Sequence, residues 1–244
     1  MKLISKKNLS FLVEKPFIVF EINNFLDSKR YEELLKNFPS KDMFSNFSDQ
    51  GSVIEPSDEI FKNQIITKRI WKDFFDELNS KYFIESAYRF SLISNIKSRG
   101  LKALKWWTTS NSKSNFFYRE VKVEIYFTLL EKGNFLTPHT DAQSKLISTI
   151  LYFDDDLNPL PMAGTEFWKN ESNGKYWKNW ENKHLKDKME IEKFKSENKI
   201  FHKSKFEKNK LVGFVKSAYS WHSVLDPNIE NYQTRKALVI NIRY

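Results

Sequence analysis

The residues most able to do chemistry in this chain are two histidines and an aspartate. His139 and Asp141 stand two apart in Leu136-Thr137-Pro138-His139-Thr140-Asp141. On an extended chain, residues i and i+2 point to the same side, so the pair can grip one ion together. His222 follows much later, in Ser217-Ala218-Tyr219-Ser220-Trp221-His222-Ser223. Two imidazoles and one carboxylate form the facial set that holds non-haem Fe(II) and leaves coordination positions open for an oxidant and a co-substrate. A His-x-Asp tripeptide also arises by chance, and by itself it reads equally as a pair of satisfied structural histidines. Of the remaining histidines, His184 and His202 lie among lysines and read as solvated surface groups. Arg235 comes thirteen residues after His222 and leads the apolar run Ala237-Leu238-Val239-Ile240. A guanidinium directed into a core needs a carboxylate to offset its desolvation, and a dicarboxylate co-substrate would supply one. The other reading of Arg235 is a surface cation at a strand start.

The elements around these residues are mainly strands. Pro16–Phe25 reads as a strand that runs into a helix capped by Asp27, with Leu26 and Tyr31 at the spacing of a hydrophobic staple and Pro39 as the stop. Residues 40–56 read as loop. Ile70, Trp71, Phe74, Phe75 and Leu78 mark the core face of a second helix, and a third covers about 81–95. From Val121 the period changes to two, and strands are expected at about 119–130, 136–141, 145–153, 164–168, 210–216, 219–224 and 235–243. Several short strands without intervening helices predict a jelly roll or sandwich. The stretch 169–210 has thirteen Lys against seven acidic residues and reads as an insertion between two core strands, with a solvated helix near 181–196. Trp177 and Trp180 within it could stack on a base or sugar, but packing inside the insertion is the preferred reading. Trp106 and Trp107, beside a Ser/Asn-rich turn, are candidates for a lid.

These short motifs occur in a telling order: Thr137-Pro138-His139-Thr140-Asp141, Ser148-Thr149-Ile150-Leu151-Tyr152-Phe153, Gly164-Thr165-Glu166-Phe167, Trp221-His222 and Arg235. The sequence resembles the iron(II)- and 2-oxoglutarate-dependent dioxygenases, in their prolyl-hydroxylase-like branch, over roughly residues 120–244 and the strand-then-helix opening at 16–38. The resemblance implies one domain over 1–244: an N-terminal strand and helical support at about 1–118, and a distorted double-stranded β-helix (cupin-like) at about 119–244. It implies His139, Asp141 and His222 as iron ligands, Arg235 on the distal carboxylate of 2-oxoglutarate, and Ser148 as a hydroxyl beside it. Gly133 matches the family's glycine in the loop before the first histidine. Where the family often has Tyr nine residues before that histidine this chain has Leu130, so Tyr126 and Thr128, on the same strand face, are expected to line the pocket instead. Ala237 stands where the family often has Ser. The implied activity is C–H hydroxylation with O2 and 2-oxoglutarate as co-substrates and release of succinate and CO2. Asp141 favours hydroxylation over halogenation, because the halogenating relatives replace that carboxylate.

Composition sets the limits. The chain has 244 residues, 40% of them hydrophobic and 16% aromatic, enough for a sizeable core. Cys 0 excludes disulfides, thiolate metal sites and a cysteine nucleophile, and fits the cytoplasm. No apolar window is long enough to span a membrane. Net charge is +9, but Arg occurs seven times against a large excess of Lys, which weighs against nucleic acid, whose recognition leans on Arg forks. The partner is therefore expected to be a small-molecule or peptidyl substrate. Two other classes stay open. One is a non-catalytic jelly-roll module that binds sugar or nucleic acid through the basic Trp-bearing insertion. The other is a cupin-like metal enzyme of another reaction type, such as an isomerase.

Overall fold

A computed structural model of the chain describes residues 1–45, 48–99, 121–154, 160–171, 177–179, 181–225, 227–230 and 233–243. The expected lid residues Trp106 and Trp107, and Trp180, lie outside them. The strands are β1 (Phe11–Val13), β2 (Val19–Ile22), β3 (Ser52–Ile54), β4 (Lys122–Leu130), β5 (Leu136–Thr140), β6 (Lys145–Phe153), β7 (Glu166–Asn170), β8 (Lys183–His184), β9 (Asn198–Lys203), β10 (Leu211–Val215), β11 (His222–Val224) and β12 (Arg235–Arg243). The helices are α1 (Ser28–Lys36), α2 (Arg69–Leu78), α3 (Lys81–Arg99) and α4 (Lys188–Glu197).

The strands form two antiparallel sheets, mainly β as expected. The larger has the order β1-β2-β10-β6-β12-β4-β3, the smaller β8-β5-β11-β7-β9. Period-two alternation sorts the side chains of the large sheet. On β4 and β12, Ile125, Phe127, Leu129, Leu238, Ile240 and Ile242 face outward into a core shared with the helices. Their neighbours Leu130 and Ala237 face inward, where they meet Phe167 and Val224 of the small sheet. The site lies between the two sheets, on that inner side.

The helices brace the large sheet from outside. Asp27 accepts from the Arg30 backbone N–H at 3.0 Å, the cap that starts α1. Trp71 of α2 meets the Phe127 ring edge-on at 4.7 Å, and Tyr31 stacks on Phe153 at 5.6 Å. Fully burying side chains of this size contributes about 1.5–3 kcal/mol each. A third cluster, Trp168, Trp177, Leu185, Phe194 and Trp221, seats α4 against the small sheet.

The opening segment does more than support. β2 pairs directly with β10, and β3 pairs with β4 although 40–56 reads as loop in the sequence. The Lys-rich stretch also joins the framework, because it supplies β8 and β9 of the small sheet as well as α4. The strand expected at 219–224 shortens to β11, because Ser217 and Ser220 bond to each other in a turn before it. Among the described residues, no helix is long and apolar enough to cross a membrane.

Candidate metal centre

β5 and β11 run antiparallel with His139 directly opposite His222. Asp141 follows β5 on the same side as His139, while Thr140 between them turns away and donates to the Glu181 carbonyl at 2.7 Å. The three residues are buried, and one ligand atom from each lies within 4.8 Å of the others. This is the one such group found among the described residues.

Hydrogen bonding fixes which imidazole nitrogen is available. His139 Nδ1 lies 2.8 Å from the Thr137 carbonyl, and His222 Nδ1 lies 3.1 Å from the Ser220 carbonyl. A carbonyl only accepts, so each Nδ1 carries the hydrogen and each Nε2 keeps its lone pair. Burial pushes the His222 imidazole down to about 4, and burial with the neighbouring His222 and His184 pushes His139 well below its ordinary range. Both rings are therefore neutral, as ligands must be. Burial alone would raise the Asp141 carboxyl, but the Lys145 ammonium, by its charge and its hydrogen bond, holds it well below the usual carboxylate range. Two neutral nitrogens and one carboxylate suit a divalent first-row cation such as iron(II).

Both oxygens of Asp141 are engaged. Lys145 Nζ donates to Oδ1 at 2.7 Å, and the Ser148 hydroxyl donates to Oδ2. Lys145 also reaches the Tyr126 hydroxyl at 3.3 Å, and Asn241 Nδ2 donates to that hydroxyl at 2.7 Å. Strand parity places Leu146 on the inner face with Ser148, Ile150 and Tyr152, and so turns Lys145 outward. The structure reverses this end of β6. Register shifts so that Ile242 pairs Ile147 while Arg243 pairs Lys145, and Leu146 drops into the outer core. The irregularity re-aims Lys145 into the site.

Arg235 lies at the other end of β12 and is 2% exposed. Its Nε donates to the Ala163 carbonyl at 2.6 Å, and its guanidinium sits over Tyr152 at 5.3 Å and Phe206 at 5.5 Å. No carboxylate of the described residues pairs with it. Beneath it, the Tyr152 hydroxyl meets Thr165 Oγ1 at 2.9 Å and Ser204 Oγ at 2.7 Å. Gly164 permits this floor, since a Cβ there would fall 1.7 Å from the Ser204 carbonyl oxygen. Gly133 serves differently, taking a left-handed φ of 82° in the turn from β4 to β5.

The structure thus groups the expected site residues unequally. His139, Asp141 and His222 come together, with Ser148 and Tyr126 beside Asp141. Ser148 is not beside Arg235. Asn241 faces Ser148 in the sheet, six residues along β12 from Arg235, which is roughly 20 Å of strand. Tyr152 takes the place next to Arg235 instead. All of these except Tyr152 line one cavity of about 730 Å³, together with Thr165, Asn241 and Lys145.

Two sequence readings are corrected. His184 is half-buried, lines the cavity and stacks on His139 at 4.4 Å and 5°, because β8 pairs it opposite that residue. His202 bonds Glu21 at 2.8 Å and stacks on Phe11 at 4.1 Å. Neither is a free surface group. Trp177 is buried, its indole N–H donating to Glu197 at 2.7 Å, so it offers no face to a base or sugar.

No family model matches the sequence, and no curated protein matches it. Several solved structures share its outline. A prolyl-4-hydroxylase from Pseudomonas putida is 12% identical, with 93% of each chain covered and a TM-score of 0.48. A Trichoplax adhaerens prolyl hydroxylase in complex with a hypoxia inducible factor oxygen degradation domain peptide is 10% identical, covering 92% of this chain and 83% of its own, at 0.42. The epimerase SnoN, in complex with Fe3+, alpha ketoglutarate and nogalamycin RO, is 9% identical, covering 92% and 78%, at 0.43. These likenesses are distant.

Proposed function

We propose that this chain is an iron(II)- and 2-oxoglutarate-dependent oxygenase of the prolyl-hydroxylase-like kind. It acts in the cytoplasm as a single domain over 1–244, and its two sheets are the halves of a distorted double-stranded β-helix. The observation that carries the reading is the buried triad, in which both imidazoles keep Nε2 free beside one carboxylate. Arg235 supports it, as a buried guanidinium that no carboxylate among the described residues neutralises.

In this reading His139, Asp141 and His222 hold iron(II), and Arg235 takes the distal carboxylate of 2-oxoglutarate with its planar fork. The bound metal and co-substrate supply, with O2, the oxidising power to hydroxylate a C–H bond, with release of succinate and CO2. The chain's own residues do the rest. Thr137 and Ser220 carbonyls fix the imidazole tautomers, and Ser148 orients the Asp141 carboxylate. Tyr152 and Phe206 hold the guanidinium flat. The space bounded by both sheets keeps bulk water from the reacting groups and positions a small-molecule or peptidyl substrate.

The test is anaerobic titration of the metal-free protein with Fe(II) and then 2-oxoglutarate, watching for the weak visible charge-transfer band of the chelate. The band is expected in the parent protein and absent in His222→Ala. A folded parent protein that shows no band would overturn the reading.

A further inference from the structure

A lysine beside a metal-binding carboxylate is a poor ally of the metal. Lys145 is mostly buried, and its ammonium lies 2.7 Å from Asp141 Oδ1, so a cation bound to that carboxylate meets a positive charge at close range. Resting on the function proposed above, charge can be counted across the filled site. Iron(II) and 2-oxoglutarate cancel, Asp141 and Arg235 cancel, and both ligand imidazoles are neutral. Glu124 and Arg243, at the same end of the cavity, neutralise each other at 2.7 Å. Lys145 is left over. A mostly buried ammonium requires an anionic partner, and once a metal claims Asp141 that partner has to come from outside the chain.

The geometry says where. Lys145 pairs with Arg243, at the opposite end of β12 from Arg235, so the distal carboxylate of 2-oxoglutarate on Arg235 does not reach it, and the carboxylate that chelates the metal is already neutralised there. Around the ammonium stand the Tyr126 hydroxyl and Asn241. Asn241 is wholly buried and lines the cavity, and its Nδ2 donates to the Tyr126 hydroxyl, which leaves the hydrogen of that hydroxyl to point into the cavity. Glu55 and Asp58 at the mouth are exposed, hence solvated and screened, and weigh less than a buried cation.

We infer that Lys145 is a specificity-determining residue: the metal displaces it from Asp141, and it then anchors a carboxylate of the substrate beside the metal. The expected substrate is therefore acidic, and the Tyr126 hydroxyl, oriented by Asn241, donates to its carboxylate. Ser148 continues to orient Asp141 when the lysine lets go.

Two titrations test this without turnover. With Co(II) alone, Lys145→Met is expected to bind metal about tenfold tighter than the parent, because a competing cation has gone while Ser148 still orients the carboxylate. With the Co(II) and 2-oxoglutarate complex, propionate is expected to perturb the visible cobalt bands saturably in the parent, and at least about tenfold more weakly in Lys145→Met. Lys145→Arg should keep the propionate response, and Lys145→Gln serves as the second neutral variant should the methionine protein not fold. Equal or weaker Co(II) binding by the neutral variants, or a propionate response that is absent or indifferent to the lysine, overturns the inference and leaves the oxygenase reading intact. A parent protein that binds no Co(II) overturns both.

Discussion

Replacing Arg235 by methionine should strengthen the empty protein and weaken its hold on 2-oxoglutarate. The guanidinium is 2% exposed, and burying an ion costs several kcal/mol in practice. Its charge-assisted bond to the Ala163 carbonyl returns about 1.5–3 kcal/mol, and two ring contacts about 0.5–2 each. The balance is near even or somewhat unfavourable. Methionine is of similar length and keeps the apolar contact with Tyr152 and Phe206. Arg235→Met is therefore expected to gain about 1 kcal/mol without ligand, which for a chain of this length raises Tm by about 2–4 °C. The same change removes the guanidinium proposed to take the distal carboxylate, an expected loss of about 2–4 kcal/mol, or roughly 30- to 1,000-fold in Kd. Urea unfolding of the metal-free protein measures the first effect, and calorimetric titration of the Mn(II)-loaded protein with 2-oxoglutarate the second. A variant destabilised by more than about 2 kcal/mol, with unchanged 2-oxoglutarate affinity, would refute the reasoning: Arg235 would then be a structural cation satisfied by its own neighbours.

Two further outcomes follow from the same site. Burial holds His222 near 4 in the fold against an unfolded value of 6.5, so the unfolded chain binds the extra proton as pH falls through 6.5. Metal-free stability should thus be lost between pH 6.5 and 4, by about 2 kcal/mol at pH 5, with His139 acting in the same direction; a urea midpoint that is flat from pH 7 to 5 would contradict this. Gly164→Ala should cost about 3 kcal/mol and weaken 2-oxoglutarate binding together, because the new Cβ meets the Ser204 backbone and displaces the Tyr152–Thr165–Ser204 floor. Urea unfolding and the Mn(II) titration read both effects, and a loss below 0.5 kcal/mol with parent affinity would show that the floor yields freely.

What the sequence disclosed depended on the range over which each signal acts. Alternation along β4 and β12, and the one-face spacing of Trp71, Phe74, Phe75 and Leu78, are local patterns, and all three elements lie where they are expected. The triad was legible because His139 and Asp141 share a strand side and the motif order supplied His222. Lys145 was not legible, since a single irregularity between β6 and β12 reverses which of two adjacent residues faces inward, and nothing at Lys145-Leu146 announces it. His184 and His202 failed for a related reason. Flanking lysines describe local polarity, whereas a strand's partner across the sheet decides what a side chain touches. Ser148 shows the same limit: four residues from Tyr152 is close in sequence, but on an extended strand it is about 13 Å.

The placement of β8 and β9 gives the positive charge a use that involves no ligand. They border the small sheet on its two sides, where rows of unpaired backbone N–H and C=O groups invite a strand from another molecule. β8 is two residues long and begins with Lys183, and β9 carries Lys199 and Lys203. Each of these ammonium groups is already paired, Lys183 with Glu190, Lys199 with Glu171 and Lys203 with Glu166, so a visiting strand would have to desolvate or break an ion pair to dock. The ion pairs along these two strands thus guard the open margins of the sheet against self-association, and replacing the exposed pairs at Lys183 and Lys199 by alanine would favour aggregation, whereas Lys203 is held back from that test because it neutralises buried Glu166.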